Sequence, residues 1–108
     1  MKISVAMATY NGAQYIEEQL ESIRIQTMPV DEVRICDDGS SDDTVEVICH
    51  YIREHGLESS WSVEVNQENL GYASNFMKAV GLTNGDYVFF CDQDDIWVED
   101  RVERMVGL

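Results

Sequence analysis

The chain alternates strand-like and helix-like segments without interruption, four of each in 108 residues. Short runs rich in β-branched and aromatic residues give way to longer stretches whose apolar residues recur at helical spacing. Residues 2–8 read as a first strand, ended by the Thr9-Tyr10-Asn11-Gly12 turn. Residues 13–26 follow as a helix with Ile16, Leu20 and Ile23 on one face. Residues 32–36 form a second strand. Ser40 then stands as helix cap with Asp43 three residues on, and Val45, Ile48, Cys49 and Ile52 make the stripe of a helix closed by Gly56. In residues 61–65, Ser62 and Glu64 alternate against Trp61, Val63 and Val65, the pattern of a sheet edge. Asn69-Leu70-Gly71 is a turn, and Ala73, Phe76, Met77 and Val80 give a third helical face. Residues 87–91 are apolar enough for a buried fourth strand, and Val98, Val102, Met105 and Val106 imply a last helix. This order requires an α/β domain, an open parallel sheet with right-handed crossovers and helices on both faces.

The chemistry gathers where three strands end. The run Tyr87-Val88-Phe89-Phe90-Cys91 stops in Asp92-Gln93-Asp94-Asp95-Ile96-Trp97, three carboxylates within four residues. Open α/β sheets bind ligands beyond the carboxyl ends of their strands. Carboxylates crowded there repel one another unless a divalent cation lies between them, and Mg²⁺ is typically held by one or two carboxylates plus substrate phosphates. The plainer alternative is a polar turn with Asp95 capping the next helix, which accounts for one Asp better than for three. The first strand ends in Thr9-Tyr10-Asn11, offering a hydroxyl and a flat face for a nucleobase. The second ends in Asp37-Asp38-Gly39-Ser40. Either aspartate can accept a pyrimidine N3–H or a ribose hydroxyl, or can complement a helix N-terminus. Asn69 and Asn75 read as polar residues of a loop and a helix start more readily than as ligand contacts.

Composition narrows the partners. Twenty-one acidic residues against seven basic ones give a net charge of −14, which argues against nucleic acid, since phosphate contacts need clustered Lys and Arg. An anionic small ligand remains compatible if a metal supplies the positive charge. Neither G-x-x-x-x-G-K-[ST] nor G-x-G-x-x-G occurs, so the usual backbone phosphate cradles are missing. Cys36, Cys49 and Cys91 are odd in number and lack metal-type spacing, which fits small buried hydrophobes better than a disulfide frame or zinc site. No run approaches the roughly 20 apolar residues of a membrane span. With no signal peptide ahead of the first strand, the expected location is the cytoplasm.

The set Ala8-Thr9-Tyr10-Asn11, Asp37-Asp38-Gly39-Ser40, Asn69-Leu70-Gly71 with Asn75, and Asp92-Gln93-Asp94-Asp95 resembles the family 2 glycosyltransferases in order and spacing, over essentially the whole chain. The resemblance implies a GT-A fold with strand order 3-2-1-4. It further implies a nucleotide-binding set of Thr9, Tyr10, Asn11, Asp37, Asp38, Asn69, Gly71, Asn75 and Asp92. Thr9 and Tyr10 would contact the base and Asp38 its N3–H. Asp92 and Asp94 would hold Mn²⁺ or Mg²⁺, Asp94 most directly. The donor would be a nucleoside-diphosphate sugar, the acceptor a saccharide or lipid-linked glycan, in bacterial polysaccharide or cell-envelope synthesis. The stretch Cys91-Asp92-Gln93-Asp94-Asp95-Ile96-Trp97 looks most like the rhamnosyl transferase members.

Ala8 departs from a common family proline. Family members also continue for a further half that carries the acceptor site and the catalytic base of inverting enzymes. Residues 1–108 are therefore expected to be the donor domain of a longer enzyme, which would work at the inner face of the membrane. Alone, the piece is expected to be inactive and, through an apolar patch around Val102, Met105 and Val106, to self-associate.

Other classes fit less well. A receiver domain binds Mg²⁺ through an acidic pair after its first strand, where this chain has Thr9-Tyr10, and needs a late lysine where Lys78 falls in a helix. A haloacid-dehalogenase-type phosphatase has its Asp-x-Asp after the first strand. An EF-hand reading of Asp92, Asp94 and Glu103 fails at Trp97, where glycine is required. A nucleotide-binding module without catalysis remains open.

Overall fold

The structure, a computed structural model, describes residues 1–92 and 94–107; Gln93 of the acid-rich motif and Leu108 lie outside the described residues. Strands β1 (Ile3–Thr9), β2 (Glu32–Asp37), β3 (Trp61–Val65) and β4 (Tyr87–Cys91) alternate with helices α1 (Ile16–Arg24), α2 (Thr44–Glu54), α3 (Tyr72–Gly81) and α4 (Arg101–Val106). The strands form one parallel sheet in the order β3-β2-β1-β4, as expected. Among the described residues no helix is long and apolar enough to cross a membrane.

β1 is central and all seven of its residues are buried. Period-two alternation sends its side chains to two different layers. Ile3, Val5 and Met7 join Ile16, Leu20 and Ile23 of α1 and Ile48 and Ile52 of α2 in the larger core. Ala6 and Ala8, with Cys36 from β2, meet Phe76 and Ala79 of α3 on the other face. Small side chains on that face let α3 approach the sheet closely. Register pairs Thr9 with Asp37 and Met7 with Cys91, so β1, β2 and β4 finish along one rim. Asp38 and the acidic loop therefore share that rim.

The structure corrects several local expectations. α2 begins at Thr44, because the Ser40 hydroxyl donates to Asp37 Oδ1 (2.7 Å) and accepts the Asn11 N–H (2.8 Å), leaving it no role as a cap. Asp42 takes the Thr44 N–H instead (3.0 Å). α1 begins at Ile16, because the N–H groups of Gly12 and Ala13 are drawn to the side chains of Thr44 and Asp42 (2.8 and 3.2 Å). α3 turns Asn75, Phe76 and Ala79 inward and leaves Met77 64% exposed. β4 is a sheet edge rather than a buried strand: Phe89 and Cys91 face the core while Tyr87, Val88 and Phe90 are exposed. α4 starts only at Arg101, with Val98 exposed before it. Val102 is buried and Val106 packs on the core, so of the expected apolar patch on this helix only Met105 is outside. Asp95 does not cap α4; its carboxylate accepts the Trp97 indole N–H (3.3 Å).

β4 enters the sheet through a tight passage. A Cβ built on Gly85 would lie 2.9 Å from the Lys2 carbonyl oxygen and 3.0 Å from the Ser4 nitrogen. Gly85→Ala is expected to destabilise the chain by about 1–3 kcal/mol through overpacking. A shifted urea midpoint at unchanged slope would show it, and an unchanged midpoint would refute it.

Candidate functional site

A cleft of about 400 Å³ opens at the carboxyl rim, lined by Ala8, Thr9, Tyr10, Asp38, Asn69, Gly71, Tyr72 and Asn75. Six of the residues expected from the sequence thus meet around one cavity: Thr9, Tyr10, Asp38, Asn69, Gly71 and Asn75. They come from the ends of β1 and β2, from the loop that enters α3 and, for Asn75, from α3 itself.

Asp38 organises the cleft. It is 5% exposed. Its Oδ1 accepts the Leu70 N–H (2.7 Å) and the Asn66 amide (2.9 Å), and its Oδ2 accepts the Gly71 N–H (3.0 Å). Burial pushes the carboxyl upward, but the donors from Leu70, Asn66 and Gly71 outweigh it and hold the group below its ordinary range. A carboxylate offers about four acceptor positions. Among the described residues three are taken, and a fourth position suits a donor arriving from the cleft. Gly71 must be glycine here: its φ of +85° is a conformation that side chains disfavour.

Asn75 lines the floor, yet its amide is committed. Its Nδ2 donates to the Cys36 carbonyl (2.8 Å) and its Oδ1 accepts from Asn66 (2.7 Å). Asn66 accepts the Lys78 ammonium in turn (2.7 Å). Asn69 Nδ2 donates to the Asp38 carbonyl (3.2 Å). Thr9 donates its hydroxyl to Asp37 Oδ1 (2.7 Å), while Tyr10 stands 45% exposed at the mouth.

Asn11 and Asp37 are not among the cavity-lining residues. Asn11 Oδ1 accepts the Ser41 N–H (2.8 Å), joining the first and second rim loops. Asp37 is fully buried and accepts from Gly39 N, Ser40 N, the Ser40 hydroxyl and Thr9. Both residues shape the loops that carry the lining.

The acidic loop lies beyond β4. Asp92 and Asp94 are exposed, and Asp94 adopts φ +74°, unusual for a residue with a side chain. Tyr72 connects this loop to the cleft by donating its hydroxyl to Asp92 Oδ1. That bond and burial push the phenol up to about 12. Neither Tyr72 nor Asn66 stood out in the sequence; their positions beside Gly71 and after β3 were the available signals. No Lys or Arg lines the cleft. Among the described residues, no group of three or more His, Cys, Asp or Glu side chains is arranged to hold a metal ion by itself.

The parallel α/β sheet thus carries a buried carboxylate, an exposed aromatic and an acidic loop on one rim. The chain belongs to glycosyl transferase family 2, whose model matches residues 4–108. It is 39% identical over 104 residues to the dTDP-rhamnosyl transferase RfbG of Shigella flexneri, covering 93% of this chain and 35% of that protein. Among solved structures it resembles S. aureus TarS 1-349 in complex with UDP-GlcNAc (TM-score 0.85, 30% identity, 99% of this chain and 30% of that one). It also resembles the mannosyltransferase PcManGT from Pyrobaculum calidifontis in complex with GDP-Man and Mn²⁺ (TM-score 0.81, 30% identity, 89% and 28%). The fold is that of the GT-A glycosyltransferases. The chain spans about a third of the length of the curated relatives it matches.

The depressed Asp38 carboxyl gives stability a definite pH dependence. A group lowered on folding adds stability above its unfolded value, about 4 for a carboxylate, and that stability is lost as pH falls through the folded value. Urea midpoints are expected to hold from pH 7 down to about 5 and to fall below about 4. Asp38→Asn should flatten the acid limb; an unchanged acid limb would count against this role.

Proposed function

We propose that this chain is the donor-binding domain of a glycosyltransferase that takes a nucleoside-diphosphate sugar and a divalent cation. The observation that carries the reading is the Asp38 carboxylate, held ionised at the wall of a cleft, with Tyr10 at the mouth and the Asp92–Asp94 loop joined to the cleft through Tyr72. The remaining acceptor position on Asp38 suits an N–H such as a pyrimidine N3–H. Tyr10 presents an aromatic face for the base to stack on.

The donor set fits a cation of the Mg²⁺ or Mn²⁺ type. Two exposed carboxylates supply too few ligands for an all-protein cage, and these ions are usually completed by phosphate oxygens and water. The cleft has no basic side chain to meet a diphosphate. Asp92 and Asp94 would hold the ion. When bound, a divalent cation stabilises the negative charge that grows on a departing nucleoside diphosphate.

The acceptor oxygen displaces the nucleoside diphosphate directly at the anomeric carbon, its bond to the sugar forming as the bond to the diphosphate oxygen breaks, and the acceptor hydroxyl loses its proton to a carboxylate. We assign that base and the acceptor site, for a saccharide or lipid-linked glycan, to parts of the enzyme outside residues 1–108. The similarity to a dTDP-rhamnosyl transferase supports a pyrimidine donor and a role in bacterial surface polysaccharide synthesis.

Calorimetric titration of UDP, dTDP and GDP, with and without Mn²⁺, tests this reading. A pyrimidine diphosphate is expected to bind only weakly without the cation, since like charges repel. Asp94→Asn should weaken cation-assisted binding about tenfold, while Asp100→Asn, on the approach to α4, should leave it within about twofold. Equal, cation-independent binding by all three proteins would overturn the metal site, and absence of any nucleotide binding would overturn the donor site. The 108-residue chain is also expected to transfer no sugar, because general-base assistance alone contributes about 10²–10⁴ in rate. Robust transfer by it would place the base among Asp37, Asp92 or Asp95.

A further inference from the structure

The segment between β4 and α4 is held by side chains of α1 and of Gln26 just past its end. Among the described residues of 92–100, the backbone bond within the segment is the Asp95 N–H to the Asp92 carbonyl (3.2 Å). Backbone groups of such a segment need partners elsewhere. Gln19 Nε2 donates to the Asp92 carbonyl (2.5 Å). The Ser22 hydroxyl accepts the Trp97 N–H (3.1 Å). Gln26 Nε2 donates to the Val98 carbonyl (2.7 Å), and its Oε1 accepts the Val102 N–H (3.0 Å). Gln19, Ser22 and Gln26 are spaced three and four residues apart, a single stripe along α1 and its extension. All three are buried, at 0, 6 and 5% exposure.

Three polar side chains in a buried stripe are an unusual choice. They run beside Ile16, Leu20 and Ile23, which serve the core on the same helix. Among the described residues Gln19 Oε1 has no hydrogen-bond partner, and a buried amide oxygen left unpaired is costly. An apolar residue would carry no such penalty, but it would not hold a carbonyl. Trp97 fixes the segment between the outer contacts: it is 5% exposed, lies 6.0 Å from the Phe89 ring, and carries the Arg101 guanidinium 5.0 Å over its own ring. Asp94 then sits at φ +74° on a span whose two ends are both anchored. Such conformations persist where surrounding structure over-determines them.

We infer that Gln19, Ser22 and Gln26 are positioning residues, a buried polar ladder that sets where the Asp92 and Asp94 carboxylates stand relative to the donor cleft. The inference rests on the donor-site reading. It extends that reading to residues that touch neither the cleft nor any ligand. Loss of a rung would leave the base pocket intact and misplace only the cation-holding end.

Gln19→Met, Ser22→Ala and Gln26→Met keep volume and remove one rung each. Two readouts decide the matter. The first compares dTDP with Mn²⁺ against metal-free thymidine, by titration. The variants are expected to lose about threefold to tenfold on dTDP–Mn²⁺ and to stay within about twofold on thymidine. Equal losses on both, or none on either, would overturn the ladder. The second is amide hydrogen exchange, which needs no ligand. Faster exchange confined to the Trp97 and Val102 amides, with β1 and β2 unchanged, supports the ladder; acceleration spread through the sheet overturns it. A wild-type chain that binds thymidine and dTDP in no condition would sink the donor site itself, and the exchange result would still decide whether α1 positions the loop. Ser22→Ala, the smallest change, keeps the test open if a glutamine variant does not fold.

Discussion

Two adjacent carboxylates at the end of β2 carry the rim. Strand alternation sends neighbouring side chains to opposite sides, so Asp37 and Asp38 hold different loops. Asp37, fully buried, gathers the Thr9 hydroxyl and the start of the Gly39–Ser40 turn. Asp38 gathers the backbone of Leu70 and Gly71 and the Asn66 amide. A buried charge is costly unless several donors meet it. Apart from Gly39 and Ser40, those donors come from segments more than twenty residues away in sequence. Satisfying the carboxylates and assembling the cleft are therefore one event.

The sheet was largely legible in the sequence because its signals are local and strong. Apolar runs marked four strands within about a residue. Ile16, Leu20 and Ile23 marked the buried face of α1 correctly. What was not legible depends on partners distant in the chain. The helix starts slipped because Thr44 and Asp42 claim the Gly12 and Ala13 N–H groups. The inward face of α3 was misjudged because Asn75 buries itself to reach the Cys36 carbonyl, something hydrophobic periodicity does not anticipate. β4 read as fully buried because its composition is that of an interior strand, while its place at the edge exposes Tyr87, Val88 and Phe90.

The site divides in the same way. Residue types that advertise chemistry, Tyr10, Asp38 and the Asp92–Asp94 pair, were visible at once. Residues that hold them were not. Asn66, Tyr72 and the Gln19–Ser22–Gln26 stripe become apparent only when their hydrogen bonds are traced. Polar residues regularly spaced along an otherwise apolar helix flank are the signal that such support leaves in a sequence.

The three cysteines acquire a use from where they sit. All are free thiols; Cys36 and Cys91 are fully buried, while Cys49 on α2 is partly accessible. Burial pushes the Cys36 thiol up, and the Cys91 thiol up to about 12, so neither presents a reactive thiolate in the folded state. Cys36 lies under α3 beside Asn75, and Cys91 lies under the acidic loop beside Gln19. An alkylating reagent would mark Cys49 first and then record, thiol by thiol, how often each wall of the cleft comes away from the sheet. The chain thus contains its own clocks for the opening of its rim cleft and of its acidic loop.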